Sequence, residues 1–326
     1  MTAPEHAAEP AASPAPAPAA APVREPAVRV TWLYVPGDRP ERFAKAVASG
    51  ADVVIIDLED AVAPARKDEA RANVAAYLRE RGAAGAVRGR AAGAGPHPAG
   101  VEVHVRLNDL ATQRGLDDLN ELVDLPGLDA VRLPKVESPR ALDLLDHFPV
   151  PAYALLESAA GIVAAAAIAA HPRVAGVALG EQDLAAELSI TDESALAHLR
   201  LQVVLAAAAA GLPPVPLSVH PHVRDEQGLF ASCVAGKALG LFGRAAIHPR
   251  QLPVIRRAFA PTAEETARAR EIADAAERAE RDGTGAVALP DGRFVDAPIV
   301  ARARRTLALA AHLASPGSGP PQPAPA

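Results

Sequence analysis

The chain has 326 residues, and 33 Lys plus Arg against 39 Asp plus Glu leave a formal net charge of −6. That balance argues against a nucleic-acid partner, which is usually met by a basic face, and no run of about 18 apolar residues free of charge or proline is present to span a membrane. Half the residues are hydrophobic but only 3% are aromatic, so the core must be built from Ala, Val, Leu and Ile. A single cysteine, Cys233, excludes an internal disulfide framework and reads as a small core residue in the helical pattern LFASCVAGKALGL. The N-terminal stretch carries Glu5, Glu9 and many prolines where a secretory leader has a basic and then an apolar region, so the expected location is cytoplasmic.

Residues 1–27 are a Pro/Ala tail without the large apolar groups that offset ordering entropy, and 315–326 have the same character, so both are expected to be disordered. Between them, 28–314 reads as one domain, interrupted by a flexible Gly/Ala-rich insert at about 82–100. Within it, short β-branched runs alternate with helical patterns. VTWLYVP (30–36), DVVIIDLE (52–59), VEVHVRLN (101–108) and DAVRLPK (129–135) are each followed by a helical stretch. PAYALLES (151–158), VAGVALGEQD (174–183), VPLSV (215–219) and RAAIHP (244–249) repeat the arrangement. Continuous apolar strands separated by helices indicate a parallel sheet. Eight such units predict an α/β fold of the (β/α)8 TIM-barrel type. An open doubly wound sheet is the alternative, though no GxGxxG follows the first strand to make it dinucleotide-binding. Beyond the eighth unit, a charged helix from about 262 to 281, a hairpin about Pro290, Asp291 and Gly292, and a helix over about 298–313 predict a C-terminal helix–hairpin–helix extension.

In a barrel of this kind the reactive groups sit at the C-terminal ends of the strands. Those ends carry Asp57, Glu59 and Asp60, then Arg106 and Asn108, Lys135, Glu157, Glu181 to Asp183, and His248. Strand-terminating caps and salt bridges would scatter over both ends, whereas these cluster at one. Glu157 and Asp183 end neighbouring strands and can share one hard cation; Mg²⁺ keeps several waters and often uses only one or two protein carboxylates. No Cys/His cluster offers a zinc site. Arg106 can hold a substrate carboxylate, and a metal here would act as a Lewis acid on a carbonyl. His248, ahead of Pro249, reads as a turn anchor, and His220 and His222 as an ordinary turn about Pro221.

LYVPGDRPERFAKAVASGADVVIIDLEDAVAPARKDEAR, VRLN, LPKVES, LLESAAGI, GEQDLAAEL, AIHPRQLPVIRRAFAPTAEE and the late GRFVDAPIVARAR occur in that order. Together they resemble the HpcH/HpaI aldolase/citrate lyase family, the citrate lyase beta-subunit-like CoA ester lyases. The resemblance spans about Arg29 to Ala310 and implies a carbon–carbon lyase that cleaves a 3-hydroxyacyl-CoA, such as malyl-, citramalyl- or citryl-CoA, into a 2-keto acid and an acyl-CoA. It implies Mg²⁺ on Glu157 and Asp183, and a keto acid held by that metal and Arg106. It further implies Lys135 and Asp60 at the substrate, Glu59 with Asp60 orienting metal-bound waters, and a homo-oligomer, often a trimer. Asp296 resembles a catalytic carboxylate that reaches a neighbouring subunit's pocket.

The chain departs from the family pattern around the seventh strand, where Leu217, His220 and His222 precede RDEQGL, and at Gln182, where many relatives have an acid. Two alternatives stand beside the lyase: a hydroxyacyl-CoA thioesterase on the same scaffold, which the resemblance also admits, and, motivated by the strand-seven departures, a barrel that binds keto acid and CoA without turnover.

Overall fold

The computed structural model describes residues 28–87, 101–146, 148, 150–281, 287–288 and 294–315; both expected tails, most of the expected insert and the hairpin tip lie outside the described residues. Seven strands form one parallel sheet: β1 Thr31–Pro36, β2 Val53–Asp57, β3 Glu102–Arg106, β4 Ala130–Leu133, β5 Ala152–Leu156, β6 Val174–Leu179 and β7 Arg244–Ala246, in the order β6-β5-β4-β3-β2-β1-β7. The sheet is a curled half-barrel of TIM-barrel-like type. Burial explains why the strands read as continuous apolar runs. The Val53–Asp57 strand is buried along its whole length, because Val54 and Ile56 join the helical layer while Val53 and Ile55 pack with Trp32 in a separate cluster.

Of the eight strands that the sequence predicts, the seventh, over 215–219, is shortened in the structure to one bridge, Leu217 to Arg244. The reason is chemical: Pro213, Pro214 and Pro216 carry no N–H to donate to a ladder. What remains is Phe242 N to Val215 O at 2.9 Å, Leu217 N to Gly243 O at 3.0 Å and Ala245 N to Leu217 O at 2.9 Å. On the other side the Ser218 hydroxyl donates to Leu179 O of β6 at 2.7 Å.

The helices are α1 Phe43–Val47, α2 Lys67–Val87, α3 Gln113–Leu122, α4 Ala159–Val163, α5 Ala165–Ala169, α6 Glu181–Glu187, α7 Glu193–Ala209, α8 Glu226–Ala238, α9 Gln251–Phe259, α10 Ala263–Arg281 and α11 Ala297–Ala314. Several start on a side-chain cap that satisfies an orphan backbone N–H: Thr112 accepts from Gly115 N, Ser158 from Gly161 N, and Asp225 from Gly228 N. The expected insert begins later than predicted, because 82–87 continue α2. Gly82 suits that position, since a Cβ there would lie 2.5 Å from Pro126 Cγ. Arg81 then ties the helix to the strand entries, donating to Val101 O at 3.0 Å and pairing with Asp129 at 2.8 Å.

At the N-terminal end of the sheet, Asp52 gathers the chain. Its Oδ2 accepts from Val30 N, Thr31 N and Thr31 Oγ1, each at 2.8 Å, and its Oδ1 lies 3.1 Å from Arg256 and 2.8 Å from His312 Nε2 near the end of α11. Helices α10 and α11 bury Ala269, Ile272, Ala275 and Ala303 with Val295 in a core of their own, and Val287–Ala288 pairs antiparallel with Phe294–Val295. Among the described residues no helix is long and apolar enough to cross a membrane.

Candidate active site

The C-terminal rim is organised around one ion-pair hub. Asp57 and Arg106 end β2 and β3 as register partners. The Arg106 guanidinium grips Asp57 with both edges of its fork, Nε to Oδ1 at 2.7 Å and Nη2 to Oδ2 at 2.6 Å. Asp57 also accepts from Glu59 N at 2.9 Å and Ala61 N at 3.0 Å, which winds the following loop over the rim. The remaining nitrogen, Nη1, faces Glu59 Oε2 at 2.8 Å and Asp60 Oδ2 at 3.2 Å, while the Tyr34 ring lies 5.2 Å from the guanidinium. The bidentate edge of Arg106, the residue expected to hold a substrate carboxylate, is therefore occupied by Asp57. The edge open to exchange is Nη1, whose partner Asp60 is 64% exposed.

Glu157 follows β5 and is 5% exposed. Its Oε1 accepts from the Lys135 amide at 2.8 Å. Lys135 presents that amide from a left-handed backbone, φ 53°, a conformation that costs a non-glycine residue energy and is tolerated where the surroundings hold it. Its ammonium reaches across to Glu59 Oε1 at 3.2 Å and is half exposed. On the other flank, Gly180 makes room for the carboxylate: a Cβ there would lie 2.4 Å from Glu157 Cβ and 2.6 Å from Oε2. Asp183 stands exposed in the first turn of α6, and neighbouring Gln182 is exposed as well.

Charge in this corner is unbalanced. Burial, then the Glu59 charge and then Asp183, push Glu157 up to about 7, against the Lys135 amide and Arg106. Burial also raises Glu59, with Asp60 adding to it and Arg106 and Lys135 opposing. A carboxylate held above its ordinary range by like charges is what a bound cation would relieve. Among the described residues no group of three or more His, Cys, Asp and Glu side chains is placed to cage a metal. A magnesium ion that keeps its waters needs only one or two protein carboxylates, so the donor set of Glu157 and Asp183 fits it.

Of the remaining predicted residues, Asp296 stands apart. It is exposed and caps α11, accepting from Ile299 N at 3.2 Å, and no hydrogen bond or ion pair joins it to the rim acids among the described residues. Glu181 is held by Arg200 at 2.6 and 2.9 Å. His248 is an exposed turn anchor whose Nδ1 accepts from Arg250 N at 3.1 Å. His220 lies 3.5 Å from Asp225 and 5.9 Å, ring to ring, from His222. Sequence reasoning gave no role to Asp57 or Gly180. The signals were available: an acid in the last strand position, opening DLED, and a glycine directly before the acidic helix start.

A TIM-barrel-like α/β sheet with a carboxylate-rich rim at its strand ends defines an enzyme class in which the rim does the chemistry. The chain belongs to the HpcH/HpaI aldolase/citrate lyase family, whose family model matches residues 30–249, and the family comprises carbon–carbon lyases acting on citrate and CoA esters. It is 36% identical to a (3S)-malyl-CoA thioesterase of Cereibacter sphaeroides, over 88% of this chain and 96% of that protein. It is 34% identical to the citrate lyase subunit beta of Haemophilus influenzae, over 86% of this chain and 96% of that protein. Among solved structures it is similar to the CitE protein of Mycobacterium tuberculosis in complex with magnesium, acetoacetate and coenzyme A, with a TM-score of 0.67, 33% identity, and coverage of 87% of this chain and 99% of that one.

Proposed function

We propose that the protein is a Mg²⁺-dependent carbon–carbon lyase cleaving a 3-hydroxyacyl-CoA, such as malyl-, citramalyl- or citryl-CoA, to a 2-keto acid and an acyl-CoA. The observation that carries this reading is the buried Glu157, whose Oε1 is fixed by the Lys135 amide at 2.8 Å in a corner where Glu59 and Asp183 add negative charge. Glu157 and Asp183 would hold the magnesium ion, which supplies Lewis-acid stabilisation at the oxygen of the keto acid. Support comes from the CitE protein of known structure, which was solved with magnesium, acetoacetate and coenzyme A.

The protein's own groups divide the remaining work. Arg106, fixed by Asp57, offers Nη1 to the substrate carboxylate, displacing exposed Asp60. The half-exposed Lys135 ammonium stands at the same rim and adds positive charge for the acyl substrate. Glu59, between Arg106 and Lys135, orients water at the site. In cleavage the substrate hydroxyl gives its proton to the water that Glu59 orients, the carbon–carbon bond breaks to give the keto acid, and the acyl-CoA enolate takes a proton at its α-carbon. Asp296 of a second copy of the chain carries that proton. The exposure of Asp296 at the start of α11 supports a role across an interface, in a homo-oligomer and by preference a trimer. In this reading the 215–219 segment is the eighth stave of a closed barrel, supported by its bridge to β7 and the Ser218 bond to β6, and α10, the hairpin and α11 are an extension that serves the neighbouring pocket.

The second reading is a thioesterase, favoured by the likeness to the malyl-CoA thioesterase. One experiment decides: a panel of malyl-, citramalyl- and citryl-CoA, incubated with and without Mg²⁺ and resolved by mass spectrometry. A keto acid with acyl-CoA means lyase; free CoA with an intact hydroxy acid means hydrolysis.

A further inference from the structure

One charged side chain on the concave face has no counterpart. Arg132, in the middle of the β4 row, is 3% exposed, and its Nε and Nη2 make no hydrogen bond. No ion pair reaches it among the described residues. The nearby acids are committed elsewhere. Glu102 is held by Arg29 at 2.7, 2.9 and 3.0 Å and lies 3.1 Å from His104. Asp57 is gripped by Arg106, and Glu59 by Arg106 and Lys135. Arg132 lies instead over the Tyr153 ring at 5.1 Å. His104, whose Nδ1 is also unpartnered, packs on the other part of that ring at 5.0 Å. Burial holds His104 down to about 4, so it is neutral and adds no second charge. A buried guanidinium without a carboxylate is costly, and cation–π contact with one tyrosine offsets only part of that cost.

Register places this charge. Arg106, Arg132 and Tyr153 are successive cross-strand partners on β3, β4 and β5. Direct partners project from the same face of a sheet, so Arg132 faces the same interior as Arg106, one strand spacing of about 4.8 Å away. Two carboxylates of one small acid can therefore meet Arg106 and Arg132 together.

From the unpaired Arg132 guanidinium beside Arg106 we infer that the concave face holds a second anion subsite, which takes the distal carboxylate of a dicarboxylic keto acid. This deepens the lyase reading and rests on it: the preferred hydroxyacyl-CoA is one whose cleavage releases a keto acid with two carboxylates. Tyr34 and Tyr153 wall the subsite, and Arg132 gives it its charge.

The test is a calorimetric titration of pyruvate and of oxaloacetate into the full chain with Mg²⁺, in the wild type, Arg132→Met and Arg132→Lys. Wild type binds oxaloacetate the more tightly. Arg132→Met loses about tenfold or more for oxaloacetate, the scale of a charged hydrogen bond, and stays within about twofold for pyruvate; Arg132→Lys falls between. Because Arg132 makes no hydrogen bond in the free protein, the melting temperature of Arg132→Met is expected to hold or rise; should that variant not fold, Arg132→Gln is read in its place. An unchanged oxaloacetate-to-pyruvate ratio in the variants means that water or a small ion such as chloride satisfies Arg132, and overturns the subsite alone. Binding of neither acid to the wild type overturns the lyase reading and the subsite with it.

Discussion

The Lys135 amide donates to Glu157 Oε1 at 2.8 Å from a backbone held at φ 53°. Two residues past β4, a strained residue thus aims its N–H at the acid that follows β5. Two consequences separate the backbone of Lys135 from its side chain. Lys135→Gly relieves the left-handed strain, about 1–2 kcal/mol for an L-residue, and is expected to keep or raise the melting temperature. Lys135→Met keeps the strain but removes the ammonium from Glu59, and is expected to weaken substrate binding about tenfold, read in KM. Both variants should lose substrate affinity; only the glycine is relieved of strain, so its melting temperature should be at or above that of the wild type.

Gly180 supplies a cleaner perturbation, because its φ of −98° suits any residue. Gly180→Ala is therefore a purely steric change, driving a methyl to 2.4 Å from Glu157 Cβ. The neighbouring carboxylate must move, and misplacement by about 1 Å can cost 10²-fold in rate. Circular dichroism should be unchanged while Mg²⁺-dependent turnover of the thioester panel falls about 10²-fold; full activity would show that the position of Glu157 does not matter.

Much of this was readable from residue order. Alternating apolar strands and helices gave the parallel sheet, and the one-sided placement of Asp57 to Asp183 located the rim. Two things were hidden. The 215–219 segment has a strand's side chains but a proline pattern that removes its ladder, and only the observed bonds show that Ser218 spans the gap to β6. Partner choice was hidden too: a sequence shows that Asp57, Glu59, Asp60 and Arg106 are near, but not that Asp57 takes the arginine fork while Asp60 keeps an exposed edge.

Glu157 makes the metal-free protein pH-sensitive. Its pKa in the fold is about 7 against 4.5 for an ordinary glutamate, so the folded state holds a proton that the unfolded chain releases. Stability is fully present below about 4.5 and is lost as pH rises toward 7, by on the order of 1–3 kcal/mol. Magnesium should act oppositely, since it binds the deprotonated acid. In scanning calorimetry of metal-free protein, raising the pH from 5.5 to 7.5 should lower the melting temperature of the wild type relative to Glu157→Gln, and Mg²⁺ at pH 7.5 should raise the wild type but not Glu157→Gln.

At the opposite end of the sheet, His104 and Glu102 oppose that trend in acid. Burial pulls His104 down to about 4, so its contribution is full above 6.5 and lost as pH falls toward 4. Glu102, despite burial that favours its neutral form, is brought to about 2 by His104 and Arg29, so its contribution is lost as pH falls from 4.5 toward 2. His104→Gln, which cannot titrate, is expected to flatten the loss of melting temperature between pH 6.5 and 4 while leaving the Glu157 response intact. An unaltered profile would place the acid sensitivity elsewhere.

Asp296 tests whether the pocket is completed by a second copy. Asn caps helices as well as Asp does, so Asp296→Asn should keep α11 and change the melting temperature by less than the cost of a lost cap, about 1 kcal/mol. On its own it should abolish thioester cleavage, as should Glu157→Gln. The two defects lie at opposite ends of one chain's machinery, the first exposed at the start of α11 and the second buried at the end of β5. If Asp296 serves a neighbour, mixed oligomers formed by co-expressing the two inactive variants contain pockets in which a wild-type rim meets a wild-type Asp296. Activity should then return to a fraction of the wild-type level set by subunit mixing. No recovery in mixed oligomers verified by mass spectrometry would mean that each chain supplies its own Asp296, or that this carboxylate has no part in the proton transfer.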